Sequence, residues 1–212
     1  MTESSGLFLN FEGIDGCGKS TQKSLLAERL RTEGHQVLET EEPGGTPIGR
    51  QIRAVLLDSA NQEMSATAEL LLYFACRAQN VEQWIAPALD QGRIVLTDRF
   101  TDSTFAYQAY GRGLGEEVVA GLDRIACRGV SPDLTFLFDI DLETSMKRAK
   151  ARSRFDRMDS QAIEFYERVR EGYRTLATRA PERFCVIDGR ATVLEISEEV
   201  WRAAEGRLKW VK

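Results

Sequence analysis

Apolar positions along this chain follow two periods. Short runs of strand length fall at Gly6–Glu12, Gln36–Thr40, Arg93–Asp98, Leu134–Asp139 and Phe184–Asp188. The first alternates and runs into glycines, and the last three are apolar nearly throughout. Between them apolar residues recur every three or four positions, the period of a helix. Lys19–Glu33 carries Leu25, Leu26 and Leu30 at that spacing, with Gly34 where a helix C-cap belongs. Thr67–Leu89 reads as one long helix in which Pro87 marks the last turn or a kink. Glu195–Lys212 reads as a terminal amphipathic helix with a basic end. Buried strands separated by helices predict an α/β fold of three layers, a five-stranded parallel sheet with helices on both faces. Ligands of such sheets sit beyond the carboxyl ends of the strands, so the residues just after each strand are the ones to inspect.

Composition narrows this picture. With 212 residues, 42 % hydrophobic and 29 % charged, 17 Gly and 5 Pro, the chain is expected to form one domain, 1–212, with no need of a disulfide or metal staple. The net charge of -5 argues against nucleic-acid binding, and a polyanionic ligand requires cations gathered locally. Cys17, Cys76, Cys127 and Cys185 form no C-x-x-C pair and His35 is the one histidine, so a zinc site is not expected. No apolar run approaches the roughly 20 residues of a membrane span. Met-Thr-Glu-Ser-Ser at the start lacks the features of a secretion signal. A cytoplasmic protein without membrane partners is expected.

The first strand feeds Gly13-Ile14-Asp15-Gly16-Cys17-Gly18-Lys19-Ser20-Thr21, the pattern G-x-x-x-x-G-K-[ST] between strand and helix. Glycines let the backbone wrap phosphate oxygens with its N–H groups, and the helix N-terminus adds partial positive charge. Lys19 would reach the β- and γ-phosphates and Ser20 would hold Mg²⁺. This identifies a P-loop NTPase fold and leaves the phosphoryl acceptor open. Asp15 would repel phosphate unless it faces a hydroxyl or a metal-bound water; it is equally a solvent-facing loop acid.

After the third strand comes Asp98-Arg99-Phe100-Thr101-Asp102-Ser103-Thr104-Phe105-Ala106-Tyr107-Gln108. Asp98 can hold the metal's water shell or accept a hydroxyl hydrogen bond, and Arg99 suits bidentate phosphate binding. Aspartate and arginine at a strand end are as readily a structural ion pair. Ser103, Tyr107 and Gln108 fall at i, i+4 and i+5 of a helix and face roughly one way. No D-x-x-G follows the cradle and no N-K-x-D occurs, which excludes a GTPase. Residues 147–157, Lys-Arg-Ala-Lys-Ala-Arg-Ser-Arg-Phe-Asp-Arg, hold six cations against one carboxylate. They read either as a solvated basic face or as a mobile arm closing over a triphosphate.

Together these residues carry a resemblance. Glu-Pro-Gly-Gly-Thr at 42–46, Asp-Arg-Phe at 98–100, Ser103, Ala-Tyr-Gln at 106–108, Gly-Arg-Gly at 111–113, Ser-Pro-Asp-Leu-Thr at 131–135 and Phe-Asp-Arg-Met-Asp at 155–159 look like the thymidylate kinase family. The match runs from about residue 7 to about 190. It implies transfer of a phosphoryl group from ATP to dTMP with Mg²⁺, in a cytoplasmic homodimer. By motif position it implies that Asp15 meets the sugar 3′-hydroxyl and that Phe74 stacks on thymine. Arg77 and Gln108 hydrogen-bond the base edge, Arg50 and Arg99 hold the acceptor phosphate, and Tyr107 excludes a 2′-hydroxyl. Pro43 and Ser103 join this substrate set, while Ser20 and Asp98 hold the metal.

One branch of the family carries its catalytic arginine inside the phosphate loop. This chain has Gly16 there and a basic lid, about 147–160, so it is similar to the bacterial-type branch, with Arg152 the first candidate and Arg148 and Arg157 behind it. It departs from the family at Glu41, where arginine commonly precedes Glu-Pro-Gly-Gly-Thr, and at Phe100, where tyrosine or histidine is common. Two other readings fit parts of the chain: a kinase with another acceptor, and a regulatory protein that hydrolyses ATP slowly.

Overall fold

The structure, a computed structural model, describes residues 6–150, 156–158 and 161–208, with 149 and 150 described by their backbone. Five strands, β1 (Leu7–Glu12), β2 (Val37–Glu41), β3 (Ile94–Asp98), β4 (Leu134–Asp139) and β5 (Phe184–Asp188), form one sheet in the order β2-β3-β1-β4-β5. Every pairing is parallel. The sequence-derived strands are therefore all present, with β2 shifted one residue onward. That shift sets Glu41 in register with Asp98 at the strand ends.

Helices fill the intervals: α1 (Lys19–Thr32), α2 (Pro47–Leu57), α3 (Ala66–Asn80), α4 (Ala86–Asp90), α5 (Thr101–Thr104), α6 (Glu116–Cys127), α7 (Leu142–Lys150), α8 (Ile163–Arg179) and α9 (Val193–Leu208). Thr46 caps α2 by accepting from the Gly49 N–H at 3.0 Å, with Pro47 in the first turn, where its missing N–H costs nothing. The long helix predicted over Thr67–Leu89 is α3, a wide π-turn at Val81–Ile85 and then α4. The wide turn gives the ring of Pro87 room it would lack against a regular α-helical carbonyl. Gly34 lies just past the end of α1 at φ 90°, in the left-handed region expected of a C-terminal glycine. The terminal helix begins at Val193, and positions 209–212 of the predicted stretch fall outside the described residues.

Side-chain alternation along β1 divides the core. Leu7, Leu9 and Phe11 join Leu26 and Leu30 of α1, Val169 and Tyr173 of α8, and Val200 and Trp201 of α9. Phe8 faces the other way, toward Leu70 and Phe74 of α3 and Val119 of α6. Asn10 and Glu12 share the face of Phe8 and are fully buried. β1 is flanked by β3 on one side and β4 on the other, so the chain reverses direction across the sheet there. That switch point opens the crevice in which α/β folds bind ligands.

Candidate active site

The loop from Gly13 to Gly18 wraps the carboxyl end of β1. Gly13 and Gly18 sit at φ 135° and 107°, a region L-residues rarely enter. A Cβ at Gly13 would also lie 2.6 Å from the Phe138 carbonyl oxygen, so side-chain bulk is excluded twice. Lys19, buried, donates to the Gly13 and Ile14 carbonyls at 3.0 and 3.1 Å. Its cation therefore stands inside the loop. Ile14 and Cys17 are buried, while Ser20 and Thr21 are exposed at the first turn of α1. Ser20 Oγ donates to Asp98 Oδ2 at 2.6 Å, joining the cradle to the end of β3.

Arg99 follows β3 at φ 72°, outside the common region for a side-chain-bearing residue, while its N–H donates to the Phe11 carbonyl at 3.0 Å. The turn directs its guanidinium onto four partners. Nη2 donates to Asp15 Oδ1 at 2.7 Å and to the Tyr107 hydroxyl at 3.3 Å; Nη1 donates to Ser103 Oγ at 3.0 Å and to the Tyr173 hydroxyl at 3.1 Å. Burial alone would lower the Arg99 pKa, but Tyr107, Asp15, Tyr173 and Glu12 raise it well above the ordinary arginine value. Arg99 is a permanent cation.

Glu12 anchors this group from below. It accepts from the Phe100 and Ser103 N–H groups at 2.8 and 3.2 Å, from Ser103 Oγ at 2.6 Å and from the Tyr173 hydroxyl at 2.8 Å. Burial, with Asp102 nearby, pushes the Glu12 carboxyl up against the opposing pull of Arg99.

Two adjoining cavities meet at Arg99. One, with about 560 Å³ of empty space, is almost wholly polar and holds Gly16, Gly18, Lys19, Ser20, Glu41 and Asp98. The other, with about 580 Å³, is lined by Pro43, Tyr73, Arg77, Ser103, Tyr107 and Gln108 among others. Asp15, Glu42, Arg53 and Arg99 line both and form the wall between them. Arg77 lies 1 % exposed; its Nε donates to Glu42 Oε2 at 2.6 Å, and its Nη1 is buried without a partner among the described residues. Gln108 Nε2 donates to Glu69 Oε1 at 2.9 Å.

The cavities gather most of the residues singled out from sequence, with exceptions. Arg50 is exposed; its Nη1 donates to the Gly45 carbonyl at 2.6 Å, and it lines neither cavity. Arg53, one turn on, lines both and donates to the Pro43 carbonyl. Phe74 is a core residue 4 % exposed with the Arg77 guanidinium 4.9 Å from its ring; the α3 aromatic that lines the cavity is Tyr73. Both placements have one cause: a helical stripe is wide enough that spacing does not choose between neighbours, and packing against the adjoining elements does.

Arg157 is 2 % exposed and locked between Glu69 Oε2, at 2.6 Å, and the Leu56 carbonyl, at 2.8 Å, so it lines neither cavity. Arg148 donates to the Gly189 carbonyl at 2.9 Å, in the turn after β5. Arg152 lies outside the described residues, as does much of the lid. Sequence reading missed Glu12, Arg53, Glu69, Tyr73 and Tyr173. A signal existed for two of them: Tyr73 stands four before Arg77 and Arg53 four before Leu57, the spacing of one helix face.

A family model described as thymidylate kinase matches residues 11–200. A thymidylate kinase of Geobacter sulfurreducens is 50 % identical over 190 residues, covering 87 % of this chain and 89 % of its own. One of Caldanaerobacter subterraneus subsp. tengcongensis is 47 % identical over 207 residues, 98 % of this chain and 99 % of its own. The crystal structure of thymidylate kinase from Ehrlichia chaffeensis superimposes with a TM-score of 0.78 at 35 % identity, covering 94 % of this chain and 98 % of that one.

Proposed function

The chain belongs to the thymidylate kinase family and phosphorylates dTMP to dTDP with ATP as donor in nucleotide biosynthesis, and from that premise we propose how its own residues divide the work. The observation that carries the assignment is the shared wall: Asp15, Arg53 and Arg99 stand between a polar cradle and a pocket with aromatic and amide lining. ATP takes the cradle and dTMP the pocket, so the reacting phosphates meet at Arg99.

In the transfer an oxygen of the dTMP phosphate bonds to the γ-phosphorus while the bond to the β-bridging oxygen breaks, and ADP leaves with that electron pair. That nucleophile is already ionised at neutral pH, so Asp98 has no proton to remove. Catalysis rests on positioning and on cations placed where charge develops. Lys19 turns from the Gly13 and Ile14 carbonyls to the donor phosphates. Arg99 and Arg53 hold the acceptor phosphate, and Asp15 orients the sugar hydroxyl. The lid, about 147–160, supplies further arginines, with Arg152 first and Arg148 at its edge.

The donor set at Ser20 and Asp98 suits magnesium, because a hydroxyl and a carboxylate already within 2.6 Å offer only oxygen. These two residues would hold the ion together with the phosphates of ATP; bound, it neutralises charge on the β- and γ-phosphates.

One catalytic unit spanning 1–212, working in the cytoplasm as a homodimer, completes the reading. Support for the dimer comes from α3 and α6, where Leu71, Val118 and Ile125 are 51 %, 51 % and 73 % exposed around one groove. No helix among the described residues is long and apolar enough to cross a membrane. ADP release with Mg²⁺-ATP and, separately, dTMP, dUMP, UMP, CMP, AMP or GMP tests the acceptor assignment. Fastest turnover is expected with dTMP; faster turnover with another monophosphate would refute the base pocket. Light scattering tests the dimer, with a mass near that of a single 23.8 kDa chain counting against it.

A further inference from the structure

Gln108 lines the acceptor pocket with a side chain that has a donor end and an acceptor end, and its hydrogen-bonded neighbour decides which end faces inward. That neighbour is Glu69, fully buried on α3. Its Oε1 accepts from Gln108 at 2.9 Å and from Arg112 Nε at 3.1 Å; its Oε2 accepts from Arg112 Nη2 at 2.9 Å and from Arg157 at 2.6 Å. Burial alone would raise the Glu69 carboxyl, but these hydrogen bonds and the arginine charges hold it below the ordinary glutamate value. It is therefore a carboxylate, and a carboxylate only accepts. The Gln108 amide must turn its NH₂ to Glu69, which leaves its carbonyl oxygen as the end available to the pocket. Arg77 lines the same pocket, and its Nη1, buried without a partner among the described residues, can only donate.

We infer that Glu69 is a specificity-determining positioning residue, locking Gln108 as an acceptor beside the Arg77 donor so that the pocket reads an imide edge. The O4 carbonyl and N3–H of thymine present an acceptor beside a donor and complement the pair. Cytosine presents the reverse, an amino donor beside an N3 acceptor, and meets both protein groups with the wrong partner. Unpaired buried polar groups are what give such sites discrimination beyond that of an apolar slot. Glu69 touches no substrate and acts through Gln108. The inference rests on reading this cavity as the base pocket.

The test is the ratio of kcat/KM for dTMP to that for dCMP in the wild type and in Glu69→Gln. The amide introduced by that substitution can offer either end to Gln108, whose own amide is then free to turn. The ratio is expected to fall at least about tenfold, the span of one or two mispaired hydrogen bonds, with kcat for dTMP little changed. Equal slowing of both nucleotides would make Glu69 a structural residue only and overturn the inference. Should Glu69→Gln fail to fold, because Glu69 also holds Arg112 and Arg157, Gln108→Leu removes the acceptor and leaves those ion pairs in place. KM for dTMP is then expected to rise about 10- to 100-fold while the ratio collapses. An unchanged ratio in that variant also overturns the inference. A wild-type protein that uses dCMP as well as dTMP would instead refute the base-pocket reading beneath it.

Discussion

Ser20 and Asp98, 78 positions apart in sequence, share a hydrogen bond of 2.6 Å across the mouth of the phosphate loop. The two oxygens that the proposed magnesium ion would need are thus preassembled by the fold. Ser20→Ala and Asp98→Asn are each expected to raise the Mg²⁺ concentration for half-maximal turnover by about 10- to 100-fold, the usual cost of losing a metal ligand or its support. Titrating activity against Mg²⁺ at saturating ATP checks this; an unaltered midpoint in both variants would take the ion away from this pair.

The two arginines of α2 separate cleanly. Arg53 lines both cavities, whereas Arg50 is occupied at the Gly45 carbonyl. Replacing Arg53 by alanine is expected to raise KM for dTMP roughly 10- to 100-fold, as for a lost hydrogen bond to a charged group. Arg50→Ala should change it by less than about threefold, the effect of a residue outside the pocket. Steady-state kinetics on the pair decides, and the opposite ranking would return the acceptor phosphate to Arg50.

Tyr73 and Phe74 are neighbours with opposite fates. Tyr73→Ala is expected to weaken dTMP binding while leaving Tm nearly unmoved. Phe74→Ala empties a core site shared with Phe8, Leu70 and Phe100 and is expected to cost about 3–5 kcal/mol of stability. Calorimetry with a dTMP titration distinguishes the two, and a stable Phe74→Ala protein that has lost dTMP would reverse the assignment.

Asp139, at the end of β4, binds Arg170 at 2.7 Å and Arg174 at 2.7 Å. Partial burial would raise its carboxyl, but hydrogen bonds from the two arginines lower it below the ordinary aspartate value. A carboxyl lowered by folding stabilises above its unfolded pKa of about 4, and that contribution fades as pH falls through the lower folded value. Asp139→Asn is expected to lose about 1 kcal/mol at pH 7, or roughly 2–4 °C in Tm, and to flatten the fall in Tm on the acid side. A variant whose Tm runs parallel to wild type at every pH would show that the pair adds nothing.

The sheet was legible because its strands are short, apolar and separated by helical periods, and the phosphate loop because its spacing has a fixed backbone meaning. Side-chain roles were less so. Tyr73 and Phe74 are adjacent aromatics, and only the core cluster that Phe74 joins with Phe8 and Phe100 decides which one turns inward. Arg157 shares a charged run with the lid, yet the buried Glu69 carboxylate draws it into the interior. Glu12 was hidden in a strand where burial normally excludes carboxylates, and it is held there by donors from Phe100, Ser103 and Tyr173 that no local pattern announces.

The wall shared by the two cavities also shapes how such an enzyme can change over generations. On the proposed division of the site, a substitution at Asp15, Arg53 or Arg99 would alter the environment of both nucleotides at once, so its effects on donor and acceptor would be inherited together. Tyr73 and Gln108 line only the proposed acceptor pocket. Base preference can drift there, one residue at a time, while the donor cradle and its chemistry are passed on intact.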